Sequence, residues 1–316
     1  MSILRRLVLT MPVLTAPRIV RAQSRSVRII VPFAAGGAAD SATRSIAPRL
    51  GERLGVTLIV ENRTGAGGSV GGGEVARSIP DGTTLLMDAS SHIVNPSLLR
   101  GLPFDYATAF TPISMVVTFP QVLAVKADLP ARNLAEFVAL ARRQPLNIGT
   151  QGNATAGHLG LAQLNQAIQT DMTHVAYRGG ADAARDLAAG TLDGCFITML
   201  SAGPVVDSGR ARFIAVSTAA RVPIRPNVPT FAEAGVSGIE ISEWAALFAP
   251  AATPPAQIAA IHAALAATLA EAPIQTRLTQ LAAVPVGNTP EEFWRFVTAG
   301  RLSMAELVRV ANIRIE

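Results

Sequence analysis

Ile29-Ile30-Val31-Pro32-Phe33-Ala34-Ala35-Gly36-Gly37-Ala38-Ala39-Asp40 is the stretch on which the reading of this chain turns. The β-branched run Val27 to Val31 reads as a buried strand, and Pro32 ends its ladder because proline has no N–H to donate. Gly36 and Gly37 free the backbone for a tight turn. From Asp40 a helical pattern begins, with Ile46, Leu50 and Leu54 at spacings of four. Strand, glycine turn and helix N-terminus in succession aim unpaired N–H groups and a partial positive charge at one spot, which suits a carboxylate or phosphate. An ordinary βα turn that binds nothing has the same pattern, and Asp40 reads equally as a first-turn acid favoured by the helix dipole.

The same unit recurs along the chain. Val56 to Val60 is a second strand, followed by the glycine-rich turn Glu61 to Gly68 and a short helix to Ser78. Thr84 to Met87 is a third strand, ending in a loop of small hydroxylic residues that includes Ser90 and Ser91. Residues 93 to 115 read as loop-rich, and Val116 to Val125 as a strand. Leu134 to Arg142 reads as a helix. Asn147 to Thr150 then opens a second α/β set, in which Gln151 to His158 repeats the glycine-and-hydroxyl turn into a helix through Leu164. Strands Thr173 to Tyr177, Gly194 to Ile197 and Phe213 to Ser217 follow, with a helix from the Arg178 to Asp182 turn to Ala189. Trp244 to Ala249 is a further strand, Pro254-Pro255 starts a long helix, and two helical segments near 290–296 and 304–310 finish the chain. This alternation predicts an α/β fold in which parallel strands are joined by crossover helices, with ligands outside the carboxyl ends of the strands.

A chain of 316 residues predicts two domains, each with its own core. The formal charge of +5 misleads. Four of the 27 basic residues (Arg5, Arg6, Arg18, Arg21) lie in the first 22 positions, and without them 23 basic residues face 22 acidic ones. No basic tract or basic-aromatic pattern points to nucleic acid. Residues 1–22 read as a secretory signal, with Arg5-Arg6, the apolar stretch Leu7 to Leu14, and Val20-Arg21-Ala22 before a cleavage at Gln23. Arg5-Arg6 also fits a weak twin-arginine signal, and the Sec route is expected. No later apolar run is long enough to span a membrane. Cys195 is the sole cysteine, so no internal disulfide forms, and it reads as buried core.

Most catalytic motifs fail. A Walker loop needs Gly-Lys-Ser/Thr, and the one lysine is Lys126. A dinucleotide fingerprint starting at Gly65 breaks at Val70. The four histidines lack zinc spacing. Gly67-Gly68-Ser69-Val70-Gly71 matches Gly-x-Ser-x-Gly, but the preceding strand ends well before Ser69. A secreted serine hydrolase with Ser69 as nucleophile and His92 or His158 as base is therefore the enzymatic alternative. Three loops remain as a constellation: Phe33 to Asp40, Ser90-Ser91, and Thr150 to His158, with Tyr177 to Ala181 beside the last. They offer N–H groups, hydroxyls and one imidazole, which suits holding carboxylates more than breaking bonds. His158 reads equally as a structural histidine, and Tyr177 as a core residue.

Six motifs in order carry a family resemblance: Val31 to Asp40, Val60 to Gly68, Pro80 to Leu85, His174 to Gly180, Val228 to Gly235 and Ala249 to Pro254. The sequence resembles the Bug family, the solute-binding proteins of tripartite tricarboxylate transporters. That resemblance implies a two-domain clamshell of mainly parallel sheets, with 23–124 plus 247–316 as one domain and 125–246 as the other. It implies a non-enzymatic periplasmic receptor, a monomer without cofactor or metal. Such a receptor takes a small carboxylate to the membrane permease subunits of the transporter. An orphan receptor feeding a signalling partner is the variant of this reading. The ligand-binding residues expected from the loop constellation and the resemblance together are Phe33, Ala34, Gly36, Gly37, Asp40, Ser90, Ser91, Thr150, Gly152, Thr155, Ala156, His158, Tyr177, Gly179, Gly180 and Ala181. Ala176 and Arg178 depart from the family's usual Pro and Lys and leave the ligand open.

Overall fold

The computed structural model describes residues 26–153 and 155–310; the expected signal at 1–22 and its cleavage point lie outside the described residues. The opening stretch folds as its pattern requires. Strand β1 (Ser26–Val31) runs into a turn where Gly36 takes φ +77, and helix α1 (Ala38–Leu54) follows with Gly37 as its N-cap. β1 pairs in parallel with β2 (Thr57–Asn62) and with β3 (Thr84–Asp88). The intervening helix is α2 (Ser69–Ala76), entered through a short 3₁₀ turn at Ala66–Gly68. Helix α3 (Ser91–Leu98) leaves β3 at once, so Ser91 and His92 are helical rather than part of a hydroxylic loop.

The 17-residue strand β4 (Phe110–Lys126) is longer than the sequence suggested, and it replaces much of the expected loop-rich region. Pro112 and Pro120 disguise it, since proline normally marks the end of a ladder. Its register slips near Pro112 and again between Met115 and Val117. Through Pro120 it pairs antiparallel with β9 (Ser242–Pro250); from Gln121 it pairs with β7 (Gly194–Thr198) and β8 (Ala211–Val216). The second set comprises α4 (Leu134–Ala141), β5 (Asn147–Thr150), α5 (Ala156–Ile168), β6 (Thr173–Ala176), α6 (Gly180–Ala188) and α7 (Met199–Asp207). β5 lies parallel to both β6 and β7. After β9 the chain adds α8 (Pro255–Leu269), α9 (Ala272–Gln280), the two-residue β10 (Val284–Pro285) on β4, and α10 (Pro290–Val310).

The strand order is β2-β1-β3-β9-β4-β7-β5-β6. Each half has three parallel strands, as expected, but β4 and β9 add antiparallel pairs, so the sheets are mixed. Strand partners change between Pro120 and Gln121. The return falls between Ile241, whose N–H still bonds Ser217 O, and Ser242, the first residue of β9. Both changes lie upstream of the expected crossings at 124/125 and 246/247, because β9 belongs wholly to the first half's ladder. Two further differences are α7, which the sequence reading left unassigned, and α10, one continuous helix in place of two segments.

Alternation along the strands splits each core in two. In the first half Ile29, Val31, Leu85 and Leu247 meet Ile46 and Leu50 of α1, Ile261 and Leu265 of α8 and Leu278 of α9. Ile30, Leu86 and Phe248 face the opposite way, onto Val75, Ile93 and Phe293. In the second half Leu123, Ile148 and Phe196 pack on Phe137 and Leu164, while Val122, Cys195 and Ile197 pack on Ala184, Leu187 and Ala202. Among the described residues no single helix is long and apolar enough to cross a membrane. The bent pair α8–α9 passes by composition, yet its apolar residues lie in the core.

Candidate functional site

Four helices begin around one cleft between the halves. The cleft is narrow, with about 50 Å³ of room for occupants, and opens partly to solvent. The first half contributes Phe33, Ala34, Gly37, Ala38, Ala39, Ala89, Glu243 and Trp244; the second contributes Gln151, Thr155, Gly179, Gly180, Thr198 and Ser201.

The α1 and α6 N-termini carry no side-chain cap bond. The first N–H groups of a helix have no acceptor within it, so these two ends remain suited to an anion. They approach closely: a Cβ placed on Gly179 would lie 3.7 Å from Ala34 Cβ. The α7 end is different, because Thr198 caps it, its hydroxyl oxygen accepting from Ser201 N at 3.3 Å. The α5 end is also taken. Glu243 reaches it from β9, and Glu243 Oε2 accepts from Ala156 N at 3.2 Å, Ser90 Oγ at 3.0 Å and Gln151 Nε2 at 3.4 Å. Glu243 Oε1 accepts from Ser90 N at 2.9 Å and Trp244 N at 3.1 Å. Burial pushes the Glu243 carboxyl above the ordinary carboxylate range, against the pull of the donors from Ser90, Trp244 and Ala156. Gln151 Nε2 also donates to Gln121 Oε1 at 3.1 Å, tying the cleft floor to the point where β4 changes partners.

Of the residues singled out from sequence, Phe33, Ala34, Gly37, Thr155, Gly179 and Gly180 line this cleft. The others stand behind it or away from it. Gly36 makes the turn, and its N–H donates to Asp40 Oδ2 at 2.9 Å. Asp40 faces inward, also accepting from Arg44 Nε and from Asn62 Nδ2 at 2.9 Å. Burial alone would raise its carboxyl; the bonds from Arg44, Gly36 and Asn62 outweigh that and hold it below the usual range. Ser90 and Ala156 hold Glu243. Ser91 is buried on α3, off the lining. Thr150 Oγ1 lies 2.7 Å from His174 Nε2, and the Gly152 carbonyl accepts from Thr155 Oγ1 at 2.8 Å, so both shape the loop rather than line the space. His158 stacks on His174 with ring centres 3.8 Å apart. Desolvation lowers both imidazoles, to about 4 for His158 and about 3 for His174, so the pair is neutral at pH 7. Tyr177 turns its hydroxyl to Asp186 Oδ2 at 2.6 Å, and Ala181 is exposed.

Ala38, Ala39 and Gln151 lie within the loops picked out from sequence without being named as ligand residues, and sequence reasoning missed Ala89, Thr198, Ser201, Glu243 and Trp244. Two signals were present: Thr198 three residues before Ser201 at a strand end, a capping spacing, and an acid at the start of the apolar run 244–250. The hydrolase alternative lacks its geometry. β2 ends at Asn62 and the 3₁₀ turn intervenes before Ser69, so no strand-to-helix elbow forms there. His92 gives Nδ1 to Asp88 Oδ2 at 2.9 Å and is stacked on Phe248. No cluster of three metal-ligating side chains occurs among the described residues.

Two α/β halves joined by crossing strands, with helix N-termini facing one cleft, define the fold of periplasmic binding proteins. The solved structure of the periplasmic binding protein BugD is similar at a TM-score of 0.86 and 32% identity, over 92% of this chain and 99% of that one. A Rhodopseudomonas palustris protein solved with adipate is similar at a TM-score of 0.88 and 31% identity, over 93% and 99%. Protein BugT of Bordetella pertussis is 30% identical over 93% of this chain and 91% of its own length. Residues 42–311 match the family model described as the tripartite tricarboxylate transporter family receptor, and the chain belongs to that family of solute-binding receptors.

Proposed function

We propose that this chain is a periplasmic receptor that closes its two halves on a small carboxylate and delivers it to the membrane subunits of a tripartite tricarboxylate-type transporter. The observation that carries the reading is the pair of helix ends without side-chain caps, α1 at Gly37 and α6 at Gly179, facing each other across the cleft. An anion between them takes N–H donors from both halves at once, so it favours the closed arrangement over the open one. The two bodies are residues 26–120 with 242–310, and 121–241, with the hinge where β4 and the chain before β9 change partners. Secretion through the signal at 1–22, by the Sec route, and a monomeric receptor belong to the same reading.

The test is a thermal-shift panel of mono-, di- and tricarboxylates on the mature chain. A bound acid at a hundredfold excess over its Kd adds about 2.7 kcal/mol to the native state. Gly179→Leu is the control: φ is 173 there, which any residue adopts, and the added side chain fills the space opposite Ala34. A midpoint shift of several degrees with one acid, absent in Gly179→Leu while that variant's own melt is unchanged, is the expected result. A shift that survives Gly179→Leu would place the ligand elsewhere.

A further inference from the structure

Glu243 is the one ionisable side chain in the lining among the described residues, and its place is unusual. It stands on β9, in the first half, yet its carboxylate rests on the first N–H of α5 in the second. Ser90 Oγ accepts from the same N–H at 3.0 Å, so three groups from both halves meet at one helix end. Among the described residues the carboxylate accepts from the N–H groups of Ser90, Trp244 and Ala156, the Ser90 hydroxyl and the Gln151 amide. Three of these donors are backbone N–H groups, which cannot accept, and they favour the ionised carboxylate against the burial that raises it. Both oxygens are also filled, which leaves little for a ligand's donor.

We infer that Glu243 sets the ligand class of the cleft, excluding a second carboxylate and selecting monocarboxylates with an uncharged far end. The inference rests on the receptor reading above. A ligand acid held between the α1 and α6 ends directs its other end toward Ala89, Gln151, Glu243 and Trp244. The α5 end, which could have received a second anion, already holds the protein's own. A second ligand charge would instead meet a buried like charge in a medium that screens it poorly. The neighbouring surface is apolar: Ala89 is 5% and Trp244 4% exposed. The relative solved with adipate holds a dicarboxylate, so the inferred selection is a property of this chain's lining and not of the fold.

Isothermal titration with chain-matched acids tests this, using pentanoate against glutarate and hexanoate against adipate. The expected result is a monocarboxylate bound at least roughly tenfold tighter than its dicarboxylate partner in the wild-type chain, with the ratio collapsing in Glu243→Gln. Should Glu243→Gln not fold, Glu243→Ser is read the same way, since a hydroxyl at that position still accepts from an N–H. Equal or tighter binding of the dicarboxylate by the wild-type chain overturns the inference and leaves the receptor reading standing. A monocarboxylate preference unchanged in the folded variant overturns the assignment to Glu243. Binding of no carboxylate by a ligand-free preparation overturns the receptor reading, and this inference with it.

Discussion

Asp40 ties the turn that carries the first helix end. Its carboxylate holds Gly36 N, Arg44 and Asn62, and Asn62 Nδ2 in turn donates to the Phe33 carbonyl at 3.0 Å. Asp40→Ala should cost about 1–3 kcal/mol in urea melts, because three donors lose a carboxylate that is itself buried. Its folded carboxyl is depressed, so the stability it gives is present above the ordinary carboxylate range and lost as pH falls through the depressed value. The stacked imidazoles act earlier in an acid titration. Their folded values lie below the ordinary 6.5, so the unfolded chain takes up protons first, and stability falls as pH drops from about 6.5 toward about 4. His158→Phe keeps a stacked ring and removes one proton site. Urea melts at pH 6.5 and 4.5 should show roughly half the wild-type loss, and an unchanged slope would refute the assignment. At this scale the sequence was half legible. Asp40 and Thr155 could be singled out because they flank glycine turns. Glu243 shows in the sequence only as an acid opening an apolar run, because its partners Ser90 and Ala156 are distant in sequence and Ala156 meets it from the other half.

The βα units, at the scale of elements, were legible because period-two and period-four patterns alternate with glycine turns. The failures have a common cause: residues that usually end an element sit inside one. Pro112 and Pro120 lie within β4, where register slips absorb the first of them. Gly300 lies within α10, where a Cβ would come 2.9 Å from Ile93 Cδ1, so the residue marks close packing on α3 and not a break. Gly157, one residue into α5, makes the sharper case. A Cβ there would stand 2.2 Å from the Phe196 carbonyl oxygen, a backbone atom that cannot swing aside. Alanine is the better helix former by about 1 kcal/mol, yet Gly157→Ala should destabilise by about 1–3 kcal/mol in the same melts as α5 is pushed off β7. A neutral or stabilising result would mean that α5 sits farther from the sheet.

For the molecule as a whole, β4 runs unbroken through both ladders, and the cores meet: Leu159 of α5 packs in the cluster of Trp244 and Phe293, and Ala282 in that of Cys195. Unfolding should therefore be one event. The chain carries its own reporters: Trp244 and Trp294 in the first half, and Cys195 in the second, fully buried with its thiol raised by desolvation. Tryptophan fluorescence and thiol labelling should share one urea midpoint, with no labelling of the native protein. Two midpoints would show that the halves melt independently.

The pairing of β9 between β3 and β4 has a consequence for synthesis. Residues 121–241 form a contiguous piece, whereas the first half is interrupted by them. Until residue 250 has left the ribosome, Leu85-Leu86-Met87 of β3 presents an unpaired apolar edge with no neighbour to cover it. Such an edge invites pairing with another chain. Truncations ending before β9 should therefore aggregate even though every residue of β1, β2 and β3 is present.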